Sequence, residues 1–451
     1  MTAVRRNIKN ALADAQLGRA VLNACMLSVA KRDKAISELD DYNSIRKSAR
    51  SIRLKSIDNN RKLLDQFKKS FEKLGGKLHY AVTAEAARRM IVDIILKSGA
   101  KQGVKAKSMV TEEIELGRAL AAAGIDAIES DLGEFIVQLA GERPSHITAP
   151  ALHKSRESIG RLFAEKLGVS YTADPKTLTV IARDYLRHRY LNAEFGISGA
   201  NFIIAETGHA VVVENEGNGR LGSSLPKNFI AVTGIEKVLE NLTDLSPLLK
   251  LLARSATGQR FTSYVNMLLP SQKEGNIPEQ FHLVLVDNGR QEAINNAEFR
   301  EMMLCIRCGA CMNICPVYRS VGGHAYGSVY PGPMGAVLSN LLGDNPNQYY
   351  ELPFLSTLCG ACREICPVDI DIPRMLLRLR SLAPKPALEK LAAGGWNWTM
   401  STPARMDFMG GISRFGSKIF GFAAPGGLEQ TKSPSFKSAV RIKMNEPNGK
   451  E

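Results

Sequence analysis

The segment Cys305-Ile306-Arg307-Cys308-Gly309-Ala310-Cys311-Met312-Asn313-Ile314-Cys315-Pro316 has the spacing C-x2-C-x2-C-x3-C-P. This spacing binds 4Fe-4S clusters in two-cluster ferredoxins, where the fourth cysteine serves the other cluster. A shorter run, Cys359, Cys362 and Cys366 before Pro367, follows it. The two runs together predict an α-helical ferredoxin domain with two iron–sulfur clusters.

The order of the cysteines predicts which thiolates share a cluster. Because the last cysteine of each run binds the other cluster, cluster one would be bound by Cys305, Cys308, Cys311 and Cys366. Cluster two would have three thiolates, Cys315, Cys359 and Cys362, since Ser356 stands where a fourth cysteine would be. The alternatives for cluster two are a three-iron cluster, a four-iron cluster with Ser356 or water as ligand, and a four-iron cluster with one open iron. Ser356 itself is interpreted as an ordinary loop residue, because spacing alone shows no bond to iron.

Zinc and disulfides are the competing uses of clustered cysteines. Structural zinc sites close at four ligands, usually from two C-x2-C pairs, and a triple run that ends in Cys-Pro fits them poorly. The residues Met1 to Arg6 lack the apolar segment of a secretory signal behind them, which disfavours disulfides. We therefore expect reduced thiols, iron–sulfur clusters and a cytoplasmic location.

The composition is typical of a soluble globular protein with two or three domains. Of the 451 residues, 23% are charged and 44% hydrophobic, and no apolar run approaches the ~20 residues of a membrane span. The formal net charge is +14, but basic residues alternate with acidic ones and form no aromatic-rich groove. Acidic protein partners or solubility explain this charge better than nucleic acid does.

Residues 1–76 are predicted to form helices that end at Gly75-Gly76. Apolar residues such as Leu17 and Val21 recur at helical spacing there. The region is interpreted as a packed arm without chemistry of its own. Its one cysteine, Cys25, is interpreted as a small buried hydrophobic residue.

Residues 77–290 alternate helices with β-branched runs, which predicts an α/β domain with a largely parallel sheet. Helices are expected at Ala84–Lys97 and at Glu112–Ala123, the second capped by Thr111. A hairpin within the sheet is expected around Thr207-Gly208. The expected strands are Leu178–Ala182, Phe202–Ala205, Ala210–Val213, Phe229–Val232 and His282–Val286.

A glycine-rich stretch, Gly217-Asn218-Gly219-Arg220-Leu221-Gly222, follows one of these strands. It matches G-x-G-x-x-G, but a dinucleotide site needs a helix that opens at the third glycine, and none is expected here. The interpretation is a loop at a strand end, where Arg220 or Lys227 would bind a substrate carboxylate. An ordinary solvated loop is the alternative. The residues expected to line this candidate substrate site are Glu214, Glu216, Asn218 and Arg220.

Residues 291–383 are predicted to form the cluster domain. Asn295 and Glu298 are expected to be a capping box that opens a helix before Cys305. Further helices are expected at Met334–Leu342 and from Asp371 to Leu382. The remaining residues, 384–451, carry both tryptophans, Trp396 and Trp398, and would either dock a partner or fold back on the chain.

These features together resemble the lactate utilisation protein B family of iron–sulfur proteins. The matching segments are Glu129–Glu134, Gly196–Asn201, Ala205–Gly208, Cys305–Tyr318, Gly322–Gly327 and Leu358–Cys362. The resemblance covers nearly the whole chain. It implies that residues 77–290 are a lactate-utilisation (LUD) domain similar to the sugar-phosphate isomerase and CoA-transferase fold. It also implies that serine at position 356 is normal, so that cluster two has three thiolates.

The resemblance further implies an electron-transfer subunit of a cytoplasmic complex that oxidises L-lactate to pyruvate. Two companion subunits are implied, one rich in paired cysteine motifs and one built on a second LUD domain. Arg307, Arg319 and His324 are the nearby candidates to tune the clusters, but each is interpreted first as a surface or packing residue. No catalytic residue is predicted. The alternatives are an electron carrier of a glycolate-type or heterodisulfide-type oxidoreductase, and a scaffold or transferase that acts through the α/β domain.

Overall fold

The computed structural model describes residues 2–271, 278–343, 346–384 and 387–409. The chain divides into two units, Met1–Ala383 and Pro384–Glu451. Within the described ranges, the helices are too short or too polar to cross a bilayer. The finer division at residues 76, 290 and 383 expected from the sequence stays a prediction.

Helices open the first unit, as the sequence predicts. Asp14 separates the first two because its carboxylate caps the second, accepting hydrogen bonds from the backbone N–H groups of Gln16 and Leu17. Cys25 is fully buried, as expected. The helices are α1 (Ala3–Ala13), α2 (Ala15–Ser37), α3 (Tyr42–Asp58) and α4 (Asn60–Lys73).

A six-stranded sheet, parallel throughout, forms the centre of the unit, which confirms the α/β prediction. Its order is β1-β10-β7-β4-β2-β3, with the strands numbered along the chain. The central strands are buried on both faces, as in β7. The strands are β1 (Lys77–Ala81), β2 (Gln102–Lys105), β3 (Asp126–Glu129), β4 (Phe195–Gly199), β7 (Asn228–Gly234) and β10 (Gln280–Val286).

A second sheet of four strands has the order β8-β5-β6-β9. The expected hairpin at Thr207-Gly208 joins β5 to β6, which are antiparallel. It lies in this second sheet and not in the parallel one, because β6 continues the antiparallel pairing to β9. The strands are β5 (Phe202–Ile204), β6 (Ala210–Glu214), β8 (Val238–Leu239) and β9 (Tyr264–Leu268).

Helices flank the parallel sheet, and two predictions about them are wrong. The run Leu178–Ala182 is not a strand but part of α10, because Asp174 caps a helix there by accepting from the Thr177 backbone N–H. The helix predicted at Glu112–Ala123 is broken at Glu115, whose φ is 50°. The helices are α5 (Ala84–Lys97), α6 (Met109–Glu113), α7 (Leu116–Ala122), α8 (Leu132–Ala140), α9 (Arg156–Leu167), α10 (Pro175–Leu191), α11 (Asn218–Ser224) and α12 (Leu245–Thr257).

Ser108, not Thr111, caps α6. The Ser108 hydroxyl accepts a hydrogen bond from the Thr111 backbone N–H at 3.3 Å. Thr111 lies inside α6, and its hydroxyl donates to the Ser108 carbonyl at 2.8 Å. The predicted cap at Thr111 is therefore wrong.

The cysteine runs lie among short helices at the end of the first unit. The predicted capping box is wrong, because Asn295 ends a helix and a short 3-10 helix, Arg300–Leu304, precedes Cys305. Asp371 does cap the last helix, accepting from the Arg374 backbone N–H at 3.2 Å. The helices are α13 (Arg290–Asn295), α14 (Ala310–Ile314), α15 (Pro316–Val321), α16 (Gly332–Leu341), α17 (Ala361–Glu364) and α18 (Ile372–Leu382).

The described part of the second unit contains the helix α19 (Ala387–Met400). Trp396 and Trp398 are 69% and 48% exposed. The Arg405 guanidinium lies over the Trp398 ring at 4.9 Å. Most of the predicted docking tail, residues 410–451, lies outside the described residues.

Candidate iron–sulfur centre

Each of the two cysteine runs folds into a turn, and the two turns have the same backbone conformation. The residue before the second cysteine position is left-handed in each, with φ of 59° at Arg307 and 54° at Leu358. A left-handed glycine follows that cysteine, Gly309 in one run and Gly360 in the other. Each glycine opens a short helix, α14 or α17, that carries the next cysteine.

Four thiols line one cavity. They are the predicted ligands of cluster one, Cys305, Cys308, Cys311 and Cys366, and apolar groups such as Met334 and Ile370 form much of the remaining wall. Cys366 comes from the second run, so the two runs meet as crossed ligation requires. Burial, with a smaller contribution from neighbouring thiols, raises the pKa of Cys308 to about 12 and that of Cys366 to about 11. Iron binding would therefore release protons here. The donor set fits an iron–sulfur cluster.

The other three thiols, Cys315, Cys359 and Cys362, form a second group. Cys315 directly follows α14, which packs on α17, the helix that carries Cys362 and begins two residues after Cys359. Burial, together with the charges of Cys315 and Cys359, raises the pKa of Cys362 to about 12. Cys359 is exposed. A hydrogen bond with the Thr357 side chain lowers the pKa of Cys359. The structure thus groups these thiols as the sequence does, and their role as ligands stays a prediction.

Ser356 occupies the place in the second turn that Cys305 has in the first. The Ser356 hydroxyl oxygen accepts a hydrogen bond from the Leu358 backbone N–H at 3.1 Å. The Cys305 sulfur accepts from the Arg307 backbone N–H at 3.4 Å. An ordinary serine turn makes the same bond, so the fourth ligand of cluster two stays open.

Three arginines on α3 bind the backbone of the cysteine loops, a role that the sequence analysis missed. Arg46, Arg50 and Arg53 recur at i, i+4 and i+7 and so share one helix face. That spacing was the available signal. The N-terminal helices therefore hold both cysteine runs in place. The acceptors are the carbonyl oxygens of Cys366 for Arg46, of Val368 and Asp369 for Arg50, and of Met303 and Leu304 for Arg53.

Buried charges lie between the parallel sheet and the first cysteine turn. Arg290 bonds Glu236 at 2.8 Å and Glu113 at 2.6 Å. Burial alone would raise the pKa of Glu236, but Arg290, Lys237 and Arg307 lower it to about 2. The Lys237 ammonium donates to the Cys305 carbonyl at 3.0 Å. Burial lowers the pKa of Lys237 to about 7, so the fixed positive charge beside the four-thiol cavity is that of Arg307.

The three candidate tuning residues are placed differently. Arg307 is 11% exposed, lies 3.6 Å from Glu236 and stacks over Tyr330 with its guanidinium carbon 5.1 Å from the ring centre. Arg319 donates to the Asn313 carbonyl at 2.6 Å. His324 is exposed and bonds the Arg143 carbonyl at 2.7 Å. Of the three, Arg307 alone also lines the four-thiol cavity.

The glycine-rich stretch is not a loop, which corrects the prediction. It forms α11, because the Glu214 carboxylate accepts from the backbone N–H groups of Gly219 at 2.6 Å and Arg220 at 2.8 Å and so stabilises the first turn. These N–H groups are the ones that a dinucleotide phosphate would need. The helix end is therefore already occupied by a carboxylate of the chain itself.

The candidate substrate residues are only partly brought together. Glu214, Glu216 and Asn218 line a second cavity of about 310 Å³. Arg220 does not line it and is exposed. The Lys227 side chain is 72% exposed and pairs with Glu279 at 2.9 Å, so it is not placed there either. The basic residues that line this cavity are Lys107, Lys237 and Arg307.

Two protein families match parts of the chain. Residues 64–286 match the LUD domain, and residues 301–370 match a 4Fe-4S dicluster domain. A protein of Bacillus cytotoxicus named Lactate utilization protein B is 46% identical over 91% of this chain and 86% of its own length. The chain belongs to the lactate utilisation protein B family. A protein of the same name from Bacillus cereus (strain AH820) is 45% identical with the same coverage.

Membership of this family confirms the predicted resemblance and the fold class. The LUD match falls on the α/β region, and the dicluster match falls on the two cysteine runs, so the chain has a metal-binding 4Fe-4S domain. A crystal structure of a DUF162 family protein from Deinococcus radiodurans aligns over 50% of this chain and 98% of that one. Its identity is 13% and its TM-score 0.30, a likeness too slight to support an inference.

Proposed function

We propose that this chain is the iron–sulfur electron-transfer subunit of a cytoplasmic complex that oxidises L-lactate to pyruvate. The name of the relatives supports lactate as the substrate. The observation that carries the electron-transfer role is that two groups of cysteine thiols lie side by side. The helix α14, which carries Cys311 of the first group, packs against α17, which carries Cys362 of the second group.

The proposed ligands follow from these groups. Cys305, Cys308, Cys311 and Cys366 would hold a 4Fe-4S cluster. Cys315, Cys359 and Cys362 would hold a second 4Fe-4S cluster, or a three-iron one. Clusters bound in these places would supply one-electron transfer.

The two groups of thiols differ in how exposed they are to solvent and to a partner protein. The first group is surrounded mostly by apolar side chains and by backbone that Arg46 binds, and two of its thiols, Cys308 and Cys366, are buried. The second group reaches the surface at Cys359. We infer that a partner approaches on the Cys359 side. The proposed partners are a subunit rich in paired cysteine motifs and a second LUD-domain subunit.

Anaerobic purification tests the cofactor part of this proposal. We expect about seven to eight irons per chain with a similar amount of acid-labile sulfide, the sum of a four-iron and a three- or four-iron cluster. Electron paramagnetic resonance should then show two distinct signals on stepwise reduction. Stoichiometric zinc without sulfide would contradict the proposal.

The substrate part needs the companion subunits. With them present, L-lactate should bleach the visible absorbance of the clusters, and glycolate should do so more slowly. Bleaching by glycolate but not by L-lactate would favour the glycolate-type oxidoreductase instead. Absence of bleaching by either acid would favour a scaffold or transferase.

A further inference from the structure

The cavity of about 310 Å³ lies where open α/β sheets usually bind ligands. Its lining includes Lys107 just after β2, Asp131 just after β3, and residues 198–201 at the end of β4. These are the carboxyl ends of neighbouring parallel strands. Its volume is at the lower end of the range for small-molecule sites, about 300–1,000 Å³. The cavity is thus built by the sheet and does not depend on the glycine-rich stretch alone.

The opposite wall of this cavity is shared with the four-thiol cavity. Ile147, Ile306 and Arg307 line both cavities. Ile306 and Arg307 lie between Cys305 and Cys308 in the chain. A molecule bound here would therefore be separated from the thiols by the thickness of one turn of chain.

The acidic residues of this cavity already have hydrogen-bond donors. Asp131 accepts from the Glu134 backbone N–H at 3.0 Å, and Glu216 accepts from the Leu132 backbone N–H at 3.3 Å. Glu214 accepts from two N–H groups at the start of α11. The carboxylates are thus held by the backbone of the chain.

Two of the basic residues, Arg307 and Lys107, in contrast, have N–H donors without a hydrogen-bond partner among the described residues. One terminal nitrogen of Arg307 is buried and has no hydrogen-bond partner among the described residues. The Lys107 side chain, partly buried in the cavity wall, makes no hydrogen bond or ion pair with a described residue. Burial lowers the pKa of Lys107, and the charges of Asp131, Glu134 and Glu216 raise it. A buried donor without a hydrogen-bond partner is costly unless a ligand or water completes it. The unfilled donors of Lys107 and Arg307 therefore favour a small ligand that brings strong hydrogen-bond acceptors.

We propose that this cavity binds the carboxylate of a small 2-hydroxy or 2-oxo acid through Lys107 and Arg307, beside the four-thiol cavity. A guanidinium binds a carboxylate with directed hydrogen bonds, and a lysine adds a point charge. Polar groups such as the Asn218 amide would meet the oxygen at carbon 2. The class of acid rests on the proposed function, whereas anion binding by the cavity does not.

Calorimetry on the anaerobically purified full chain tests this site, with pyruvate as the probe. Pyruvate should bind the unchanged protein, and Lys107→Gln should weaken it about tenfold or more, as loss of a charged hydrogen bond does. Lys107→Arg should retain much of the affinity. The matched control is Lys101→Gln, an exposed lysine at the opposite end of β2, which should bind like the unchanged protein. Equal affinity in Lys107→Gln and the unchanged protein would overturn the proposal.

Two further probes define the ligand class. Lactamide, which lacks the carboxylate charge, should not bind, and inorganic phosphate should not displace pyruvate. Tight binding of lactamide, or displacement by phosphate, would overturn the carboxylate assignment. Because Arg307 lines both cavities, pyruvate should shift the paramagnetic resonance of cluster one and leave that of cluster two unchanged. A shift of cluster two alone would place the ligand on an open iron there instead.

The outcomes separate this site from the proposed function. If lactate bleaches the clusters in the complex but pyruvate does not bind this chain, the site is wrong and the function stands. If pyruvate binds with the expected loss in Lys107→Gln but lactate bleaches nothing, the function is wrong and the site stands.

Discussion

In the first cysteine turn Arg307 precedes Cys308, and in the second Leu358 precedes Cys359 on the same left-handed backbone. The first turn lies beside the buried ion pair of Glu236 and Arg290, and Lys237 donates to its Cys305 carbonyl, whereas the second turn leaves Cys359 exposed. One backbone motif is thus placed in two electrostatic environments. Ligand spacing alone therefore does not set the properties of the two sites, because net charge, hydrogen bonds and solvent access set cluster potentials.

The largest effect should come from removing a thiol of the enclosed group. Cys308→Ala should lose about four irons and lower the thermal stability of the first unit, because metal binding is coupled to folding. Cys359→Ala removes an exposed thiol and should lose fewer irons with little loss of stability. Iron analysis and thermal unfolding measure both. Equal losses in the two variants would remove the distinction between an enclosed and an exposed site.

Arg53 tests whether the N-terminal helices hold the first turn. Its side chain is fully buried and donates to the carbonyl oxygens of Glu236 and Met303. Arg53→Met should lower the free energy of unfolding by about 3 kcal/mol, since buried carbonyls lose their donors. Arg19→Met, at an exposed position of α2, is the control and should change it little. If both variants unfold alike, α3 does not support the cysteine loops.

Arg307→Leu gives the first turn the residue, leucine, that the second turn has at the equivalent position, Leu358. Loss of a cation beside the four thiols should lower the reduction potential of cluster one by about 40 mV, or of order 1 kcal/mol for one electron. The conservative variant Arg307→Lys keeps the positive charge and should retain most of the reduction potential of the unchanged protein. Redox titration followed by paramagnetic resonance measures the shift. An unchanged potential in Arg307→Leu would mean that Glu236 already cancels this charge.

Ser356 tests the comparison from the side of the second turn. If Ser356 is only a turn residue, Ser356→Ala should leave the spectrum of cluster two unchanged. Ser356→Cys should supply a thiolate where the first turn has Cys305, and so fix a four-iron form with a shifted potential. A large spectral change in Ser356→Ala would instead identify the serine oxygen as a ligand.

Local spacing predicted the parts of this protein that depend on neighbouring residues in the chain. The cysteine groups, the cap at Asp371 and the parallel sheet all follow from short patterns. The strand predicted at Leu178–Ala182 is wrong because its β-branched residues favoured a strand, whereas the cap at Asp174 starts a helix that includes them. A short apolar run of this kind fits either a strand or a buried helix face.

The parts that could not be predicted depend on residues far apart in the chain. Arg53 and Met303 are brought together only by the packing of α3 on the cysteine region. Likewise, Lys107 and Arg307 share a cavity although one follows β2 and the other lies in a cysteine turn. Sequence reasoning chose Arg220 and Lys227 because they are close in sequence to the strand end. Tertiary contacts of this kind leave no local signal.

The smallest effect is expected at Cys25, the cysteine outside both runs. Cys25 is fully buried on α2, and burial raises its pKa to about 11. The helix α2 packs on α14 and α15, the two helices that flank Cys315 of the three-thiol group. Because Cys25 is a core residue, Cys25→Ala should lower the free energy of unfolding by about 1 kcal/mol. The iron content and both resonance signals should stay unchanged. Loss of iron from cluster two alone, together with an unchanged Ser356→Ala, would identify Cys25 as the missing thiolate, and the three-thiol assignment would then be wrong.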